Sequence, residues 1–205
     1  PNFDRVAKEG ALFNNCFTPL PKCSPSRAAI LTGKNPWQLE DLCDHYGVFP
    51  SKFKVYTDLL EASGYFVGLT GKGWGPGEFK KTGWKHNPAG KEYDAIRLTP
   101  PTTGIQTNDY AGNFQAFLNA RPRGKPFCFW YGAREPHRPY ELRSGLKAGK
   151  HLADAAVPAY LPNDEIVQTD LLDYGLEIEW FDAQLVKMLA MLEAENLTPA
   201  PPADP

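Results

Sequence analysis

Helical and strand-like patterns alternate along this chain, and this alternation restricts its fold more than any other feature. Residues 2–9 have the spacing of a short amphipathic helix, and residues 56–63 predict a second helix just before a strand at 65–69. A helix predicted at 108–120 leads into an aromatic strand at 127–131. Strands separated by helices pair in parallel, because each helix carries the chain back across the sheet. The predicted fold class is therefore α/β, with a mostly parallel central sheet flanked by helices.

The remaining patterns complete this prediction. Residues 11–17 are typical of a strand, and a helix is expected to begin at the N-cap Ser24 and to end at Gly33. A long helix is predicted from about residue 163 to 196, since its large apolar residues recur along one side. The segment 70–107 is rich in Gly, Pro, Lys and Trp, which indicates an ordered loop that carries a binding surface.

Composition excludes several classes of protein. The 205 residues are 42% hydrophobic and 22% charged, which is ordinary for a globular domain. The formal net charge of −2 argues against a nucleic-acid partner or an anionic membrane partner. The longest apolar run, at 127–133, is much shorter than a membrane helix. We expect one partial domain over 1–197, followed by a Pro/Ala-rich tail or truncated connection at 198–205.

The four cysteines form no C-x-x-C pair, so a structural zinc site is not expected, and disulfide pairing stays open. One of them lies in the most informative segment of the chain. Cys23 is predicted to lie at the start of a helix, with Arg27 one turn further on. Free backbone N–H groups, the helix dipole and a guanidinium together suit a tetrahedral anion. On spacing alone, a buried loop cysteine beside an ordinary Ser-Pro helix start remains the alternative.

This segment resembles the signature of the type I sulfatases. The resembling motifs, in the family's order, are residues 1–10, Cys23-Ser24-Pro25-Ser26-Arg27 with Leu31-Thr32-Gly33, Gly64-Tyr65 with Thr70-Gly71-Lys72-Gly73-Trp74, and Pro136-His137. In that family an enzyme converts the signature cysteine into Cα-formylglycine. Residues 72–77 and 177–182 are most similar to the N-sulfoglucosamine sulfohydrolases, also called heparan N-sulfatases.

The resemblance implies an alkaline-phosphatase-like sulfatase catalytic domain. It also implies a hydrolase of sulfuric esters or sulfamates that acts on a sulfated sugar during glycosaminoglycan degradation. The implied cofactor is calcium, and the implied protein partner is a formylglycine-generating enzyme. A signal peptide would precede residue 1, which places the protein in the periplasm or outside the cell.

The resemblance also assigns roles to single residues. Cys23, as formylglycine, is the nucleophile and a metal ligand, and Arg27 holds its oxygens. Lys72 binds a sulfate oxygen, and His137 binds the sulfate or protonates the leaving group. Trp74 is expected to bind substrate, because an indole ring can stack on a sugar.

Two departures from the family pattern matter. The family's aspartate pair would precede Pro1 and its Asp-Asn pair would follow Pro205, so we expect an internal part of a catalytic domain that is inactive by itself. Trp74 stands where the family usually has a histidine, for which His45 or His86 would have to substitute. Two other functions stay open. One is a phosphonate or phosphodiester hydrolase on the same scaffold, and the other is a non-catalytic carbohydrate-binding module.

Overall fold

In the computed structural model, which describes residues 1–197, helices and strands alternate along the chain as predicted. The α-helices are α1 (Asn2–Glu9), α2 (Cys23–Thr32), α3 (Tyr56–Ala62), α4 (Tyr110–Ala120), α5 (Ser144–Lys147) and α6 (Glu165–Ala194). The strands are β1 (Phe66–Gly71), β2 (Lys91–Glu92) and β3 (Phe127–Gly132). Short 3-10 helices lie at Pro36–Gln38, Glu40–Cys43 and Leu152–Asp154.

The chain divides into two compact units. The sheet unit comprises Phe13–Ile96 and Gly112–Ala133, and the long-helix unit comprises Pro1–Leu12, Arg97–Ala111 and residues 134–197. All three strands lie in the sheet unit, in the order β2-β1-β3, and both pairings are parallel. This confirms the predicted parallel sheet.

Helices cover both faces of the sheet within this unit. Phe117 of α4 packs against Phe127 and Phe129 of β3, with ring centroids 5.7 and 4.6 Å apart. Because neighbouring strand residues face opposite sides, Cys128 and Trp130 lie on the other face, where α2 and α3 pack. The core on that face contains Ala28, Leu31, Leu39, Leu42, Phe49, Val55, Leu69, Trp74 and Ala89.

The long-helix unit is organised around α6. The carboxylate of Asp164 caps the start of α6 by accepting a hydrogen bond from the Val167 amide at 2.9 Å. Asp182 of α6 accepts the amides of Asn2 and Phe3 at 2.9 and 2.8 Å, which satisfies the free N–H groups at the start of α1. One α6 side chain therefore fixes where α1 begins.

The face of α6 that is buried is largely polar. Its buried residues are Thr169, Leu172, Asp173, Glu177, Asp182, Gln184 and Met188. Tyr174, which belongs to the apolar stripe that predicted this helix, is 40% exposed. The apolar periodicity located the helix correctly but did not identify its most deeply buried positions.

The predicted strand at 11–17 is wrong. Every residue of this segment is exposed and it pairs with no other described segment, so nothing completes the backbone hydrogen bonds that a strand requires. The predicted tail at 198–205 lies outside the described residues. Among the helices of residues 1–197, none is long and apolar enough to cross a bilayer. All four cysteines are free thiols.

Candidate active site around Cys23

Cys23 is the first residue of α2, which agrees with its predicted place at a helix start. The predicted cap is wrong in detail, because Lys22 occupies the N-cap position and Ser24 is the second helical residue. The buried Ser24 hydroxyl instead donates to the carbonyl of His45 at 2.6 Å and also lies against the Pro76 carbonyl. Ser24 therefore attaches the start of α2 to two distant loops rather than capping the helix.

Arg27 and Lys72 meet through the backbone of Lys72. Nη1 of Arg27 donates to the carbonyls of Lys72 and Gly73, at 2.6 and 3.0 Å. Burial lowers the pKa of Arg27 below its ordinary value, and the negative charge of the Cys23 thiolate partly opposes this. A guanidinium remains charged under all ordinary conditions, so Arg27 contributes a fixed cation beside Cys23.

The environment of Cys23 favours negative charge. Partial burial raises the pKa of its thiol, but a hydrogen bond with Lys72 and the positive charges of Lys72 and Arg27 act in the opposite direction. The net effect lowers the pKa of Cys23 below its ordinary value. The structure therefore brings three of the predicted site residues together in the sheet unit, around one position where an anion is stabilised.

Trp74 lies in the core of the sheet unit and not on its surface. The side chain is 2% exposed, and its indole N–H donates to the carbonyl of Ser24 at 3.1 Å. Asn87 binds the amide and the carbonyl of Trp74 through its side chain, at 2.8 and 3.0 Å. A buried ring cannot stack on a sugar, so the expected contact with substrate does not fit. Trp74 instead supports the start of α2 through its hydrogen bond to the Ser24 carbonyl.

The two histidines considered as substitutes have different surroundings. His45 adjoins the start of α2 through the bond between its carbonyl and Ser24, and its Nδ1 is buried without a partner among residues 1–197. His86 lies with its Nδ1 2.9 Å from the carbonyl of Asn87, and its Nε2 is 3.6 Å from a carboxylate oxygen of Glu61. His45 is thus the histidine whose backbone is attached to the signature helix.

His137 lies in the long-helix unit, on an exposed loop. Its Nδ1 is 2.7 Å from the carbonyl of Arg138, so Nδ1 carries the proton and Nε2 faces away from that bond. Glu135, which is 4% exposed, accepts hydrogen bonds from the Tyr110 hydroxyl and the Gln106 amide, both at 2.8 Å. These bonds hold the loop on which His137 is presented.

Arg138 does not add a free positive charge beside His137. Its guanidinium forms a two-pronged ion pair with Asp170, with Nη1 2.6 Å from one carboxylate oxygen. The structure shows a charge that is already neutralised.

Glu177, which is 2% exposed, has no hydrogen-bond partner for either carboxylate oxygen among residues 1–197. Burial and the nearby Glu135 raise the pKa of Glu177 from 4.5 to about 7. The folded protein therefore retains this proton over a pH range in which the unfolded chain has released it. The stabilisation that Glu177 contributes is fully present at acidic pH. It is lost as the pH rises from about 4.5 through about 7.

We accordingly expect the free energy of unfolding of the wild type to fall by about 2 kcal/mol between pH 5 and pH 8 through this group. Glu177→Gln removes the titrating group, so this component of the fall disappears. Glu179→Gln is the control, because Glu179 is exposed on the same helix. Urea unfolding at the two pH values measures the difference. Parallel pH profiles for the wild type and Glu177→Gln would contradict this assignment.

The side chains around Cys23 can be compared with the ligands that a calcium ion requires. Within residues 1–197, no group of three or more His, Cys, Asp and Glu side chains is arranged to hold a metal ion. The charged neighbours of Cys23 are the cations Lys72 and Arg27. Calcium takes about six to eight oxygen ligands, so the residues present do not fit the expected calcium.

Trp130 and Gly132 also contact the site, and neither was among the residues predicted to form it. Trp130 donates its indole N–H to the Lys72 carbonyl at 3.0 Å, and the Gly132 carbonyl accepts the Lys72 amide at 2.5 Å. Both could have been found from their place near the end of a predicted strand, because ligands of open α/β sheets bind beyond the carboxyl ends of the strands. Both residues lie at that end of β3.

Comparison with known families identifies the class of protein. The sulfatase family model matches residues 1–199, and the chain belongs to this family. The N-acetylglucosamine-6-O-sulfatase of Bacteroides thetaiotaomicron is 30% identical over 163 residues, which is 74% of this chain and 28% of the relative. The ulvan-active sulfatase of Formosa agariphila is 33% identical over 143 residues, 68% of this chain and 26% of the relative. The chain spans about a quarter of the length of these relatives.

A solved structure supports the fold. A protein in complex with its substrate D-glucosamine-2-N,6-O-disulfate matches 97% of this chain and 50% of its own chain, with a TM-score of 0.55 and 20% identity. Together with the parallel sheet flanked by helices, this likeness confirms the alkaline-phosphatase-like fold expected of a sulfatase.

Proposed function

We propose that this site hydrolyses sulfate groups of a sulfated sugar, with residue 23 matured to Cα-formylglycine. The observation that carries the proposal is the placement of two cations, Lys72 and Arg27, around Cys23 at the start of α2, where Arg27 also binds the Lys72 carbonyl. The same surroundings stabilise a negatively charged oxygen at that position. Membership of the sulfatase family supports this reaction, and the relatives' names support sulfated sugars as substrates.

The reaction proceeds in two balanced steps. The hydrated aldehyde at residue 23 is a geminal diol, and one hydroxyl loses its proton to solvent as its oxygen attacks sulfur and the bond from sulfur to the sugar nitrogen or oxygen breaks. The sugar leaves as an amine or alcohol after taking up a proton. The second hydroxyl then loses its proton, the aldehyde C=O forms, and the C–O bond to sulfate breaks. Water rehydrates the aldehyde, so covalent catalysis replaces one difficult step by two easier ones.

The side chains divide this work. Lys72 acts as a compact cation toward a sulfate oxygen, and Arg27 holds the oxygens of residue 23. Lys72 forms a hydrogen bond with the side chain of residue 23, and the positive charge of Arg27 also acts on it. We propose that His137 gives the leaving group a proton from Nε2 when the ring is doubly protonated, since its Nδ1–H is bonded to the Arg138 carbonyl, and that Nε2 regains a proton from solvent.

The substrate class proposed first is a glucosamine N-sulfate, and a sugar O-sulfate is second. Residues 72–77 resemble the heparan N-sulfatase type, and the solved neighbour binds a glucosamine that carries both an N-sulfate and an O-sulfate. A formylglycine-generating enzyme would be the partner that matures Cys23. We also propose a periplasmic or extracellular location, which the resemblance to this family implies.

A substrate panel tests the proposal directly. The protein from its native host is assayed for sulfate release from N-sulfoglucosamine, an O-sulfated glucosamine and an aryl sulfate, and for turnover of a phosphonate monoester. Mass spectrometry of the peptide that contains residue 23 is expected to show a loss of about 18 Da relative to cysteine. Unmodified cysteine with no sulfate release contradicts the proposal, and turnover of the phosphonate alone selects a different hydrolase.

His137→Ala distinguishes the N-sulfate from other substrates. Cleavage of a sulfamate releases an amine that needs a proton, whereas a phenolate leaves readily without one. We expect the variant to lose about a hundredfold in kcat on N-sulfoglucosamine and about tenfold or less on an aryl sulfate. His151→Ala is the control, because His151 is also exposed in the long-helix unit. Equal losses on both substrates would show that His137 acts on the sulfate and not on the leaving group.

A further inference from the structure

We propose that Trp130 is a positioning residue that holds Arg27 and Lys72 in place beside residue 23. This proposal rests on the proposed function for one point, that the site binds and hydrolyses sulfate groups. The arrangement itself is a property of the sheet unit, to which all four residues belong. Trp130 has no predicted part in the chemistry, and a tryptophan in an aromatic strand is ordinarily a packing residue.

The Lys72 carbonyl is the point at which these residues meet. It accepts Nη1 of Arg27 at 2.6 Å and the indole N–H of Trp130 at 3.0 Å. A carbonyl oxygen has two lone pairs, so these donors use both of them. Cζ of Arg27 also lies 5.8 Å from the centre of the Trp130 ring, within range of a cation–π interaction. Trp130 therefore contacts Arg27 directly and also through the shared carbonyl.

The sheet fixes Trp130 relative to Lys72. Trp130 lies opposite Leu69 in the parallel pairing of β3 with β1, and the Lys72 amide donates to the Gly132 carbonyl at 2.5 Å. The indole and the Lys72 backbone are thus joined both through the sheet and through the N–H bond. Loss of the indole N–H leaves the Lys72 carbonyl bound by Arg27 alone on that side.

This arrangement determines which donors of Arg27 remain for substrate. Nη1 is occupied by the Lys72 and Gly73 carbonyls. A guanidinium carries further N–H donors on Nε and Nη2 in one rigid plane. Because Trp130 and the two carbonyls fix that plane, they also fix the direction in which the remaining donors meet an oxyanion. Trp130 need not touch the substrate to influence its binding.

Trp130→Phe tests this role, since it removes the N–H donor and retains an aromatic face. Trp84→Phe is the matched control, because the Trp84 indole also donates to a backbone carbonyl in the sheet unit, that of Phe49 at 2.8 Å. The first readout is the exchange rate of the Arg27 side-chain N–H signals in nitrogen-15 NMR spectra. The second is the Kd for inorganic sulfate, measured by calorimetry.

We expect Trp130→Phe to speed exchange at Nη1 of Arg27 about tenfold and to weaken sulfate binding about fivefold, consistent with the loss of one hydrogen bond. Trp84→Phe is expected to leave both values at the wild-type level. The inference is overturned if Trp130→Phe leaves Arg27 exchange unchanged, or if the two variants change it equally. Wild-type protein that binds no sulfate contradicts the proposed function, while the exchange data still decide the role of Trp130.

A second substitution protects the test against misfolding. If Trp130→Phe does not fold, 3-benzothienylalanine at position 130 keeps the size and face of the indole and lacks only the N–H donor. Faster Arg27 exchange in this protein supports the positioning role. Wild-type exchange overturns it, because the hydrogen bond to the Lys72 carbonyl would then be dispensable.

Discussion

In the protein as produced by its native host, Cys23→Ala is expected to abolish sulfate release, with a loss of about a thousandfold or more in kcat/KM, because no nucleophile remains at residue 23. The fold should persist, since Cys23 is only half-buried and its backbone still begins α2. Cys43→Ala is the matched control, because Cys43 is an exposed free thiol of the same unit. Sulfate release and circular dichroism of both variants measure these effects.

Cys23→Ser separates the two steps of the proposed reaction. A serine hydroxyl can attack sulfur, but it has no second hydroxyl with which to expel sulfate. We expect this variant to stall after one turnover and to gain the mass of one SO₃ group on the peptide that contains residue 23. Near wild-type turnover by either variant at position 23 would show that another residue is the nucleophile.

The local patterns predicted most of the secondary structure. The helices α1, α3, α4 and α6 and the strands β1 and β3 follow from spacing, end signals and aromatic content. The segment 11–17 has the same local pattern as a strand, yet it remains exposed and unpaired within the described chain. Local pattern describes the tendency of a segment, whereas a strand exists only where a neighbour completes its hydrogen bonds.

The sequence predicts the charged residues of the candidate site but not the groups that hold them in position. Cys23, Arg27 and Lys72 are found from motifs because their chemistry is local to two short segments. Their geometry depends on backbone carbonyls and on Trp130, which is 58 residues from the Lys72 carbonyl that it binds. Sequence spacing carries no information on which carbonyl a distant side chain reaches.

The sequence motif also does not determine the direction of the Trp74 side chain. Its position in the signature segment indicated contact with substrate, but side-chain direction depends on the loop that carries it. The Asn87 side chain binds both backbone polar groups of Trp74 and thereby holds this residue in the core. The burial of Trp74 therefore does not fit the contact with substrate that its motif had predicted.

Gly132→Ala is expected to disrupt the site, although Gly132 carries no reacting group. A Cβ on Gly132 would lie 2.7 Å from Nε1 of Trp130 and 2.8 Å from the carbonyl carbon of Lys72, and closer still to the Lys72 carbonyl oxygen. Backbone atoms cannot move aside as a flexible side chain can. The strands cannot separate to make room either, because β1 and β3 are paired along their whole length.

The added methyl group therefore has to displace the Lys72 backbone, and Arg27 with it. We expect kcat/KM to fall about a hundredfold, since small displacements of reacting groups have costs of that order, and we expect Tm to fall as well. Gly175→Ala in α6 is the matched control, because a Cβ there meets nothing within 4 Å. That control should retain activity and gain up to about 1 kcal/mol of stability from the better helix propensity of alanine. Wild-type kcat/KM in Gly132→Ala would mean that the Lys72 carbonyl does not set the geometry of the site.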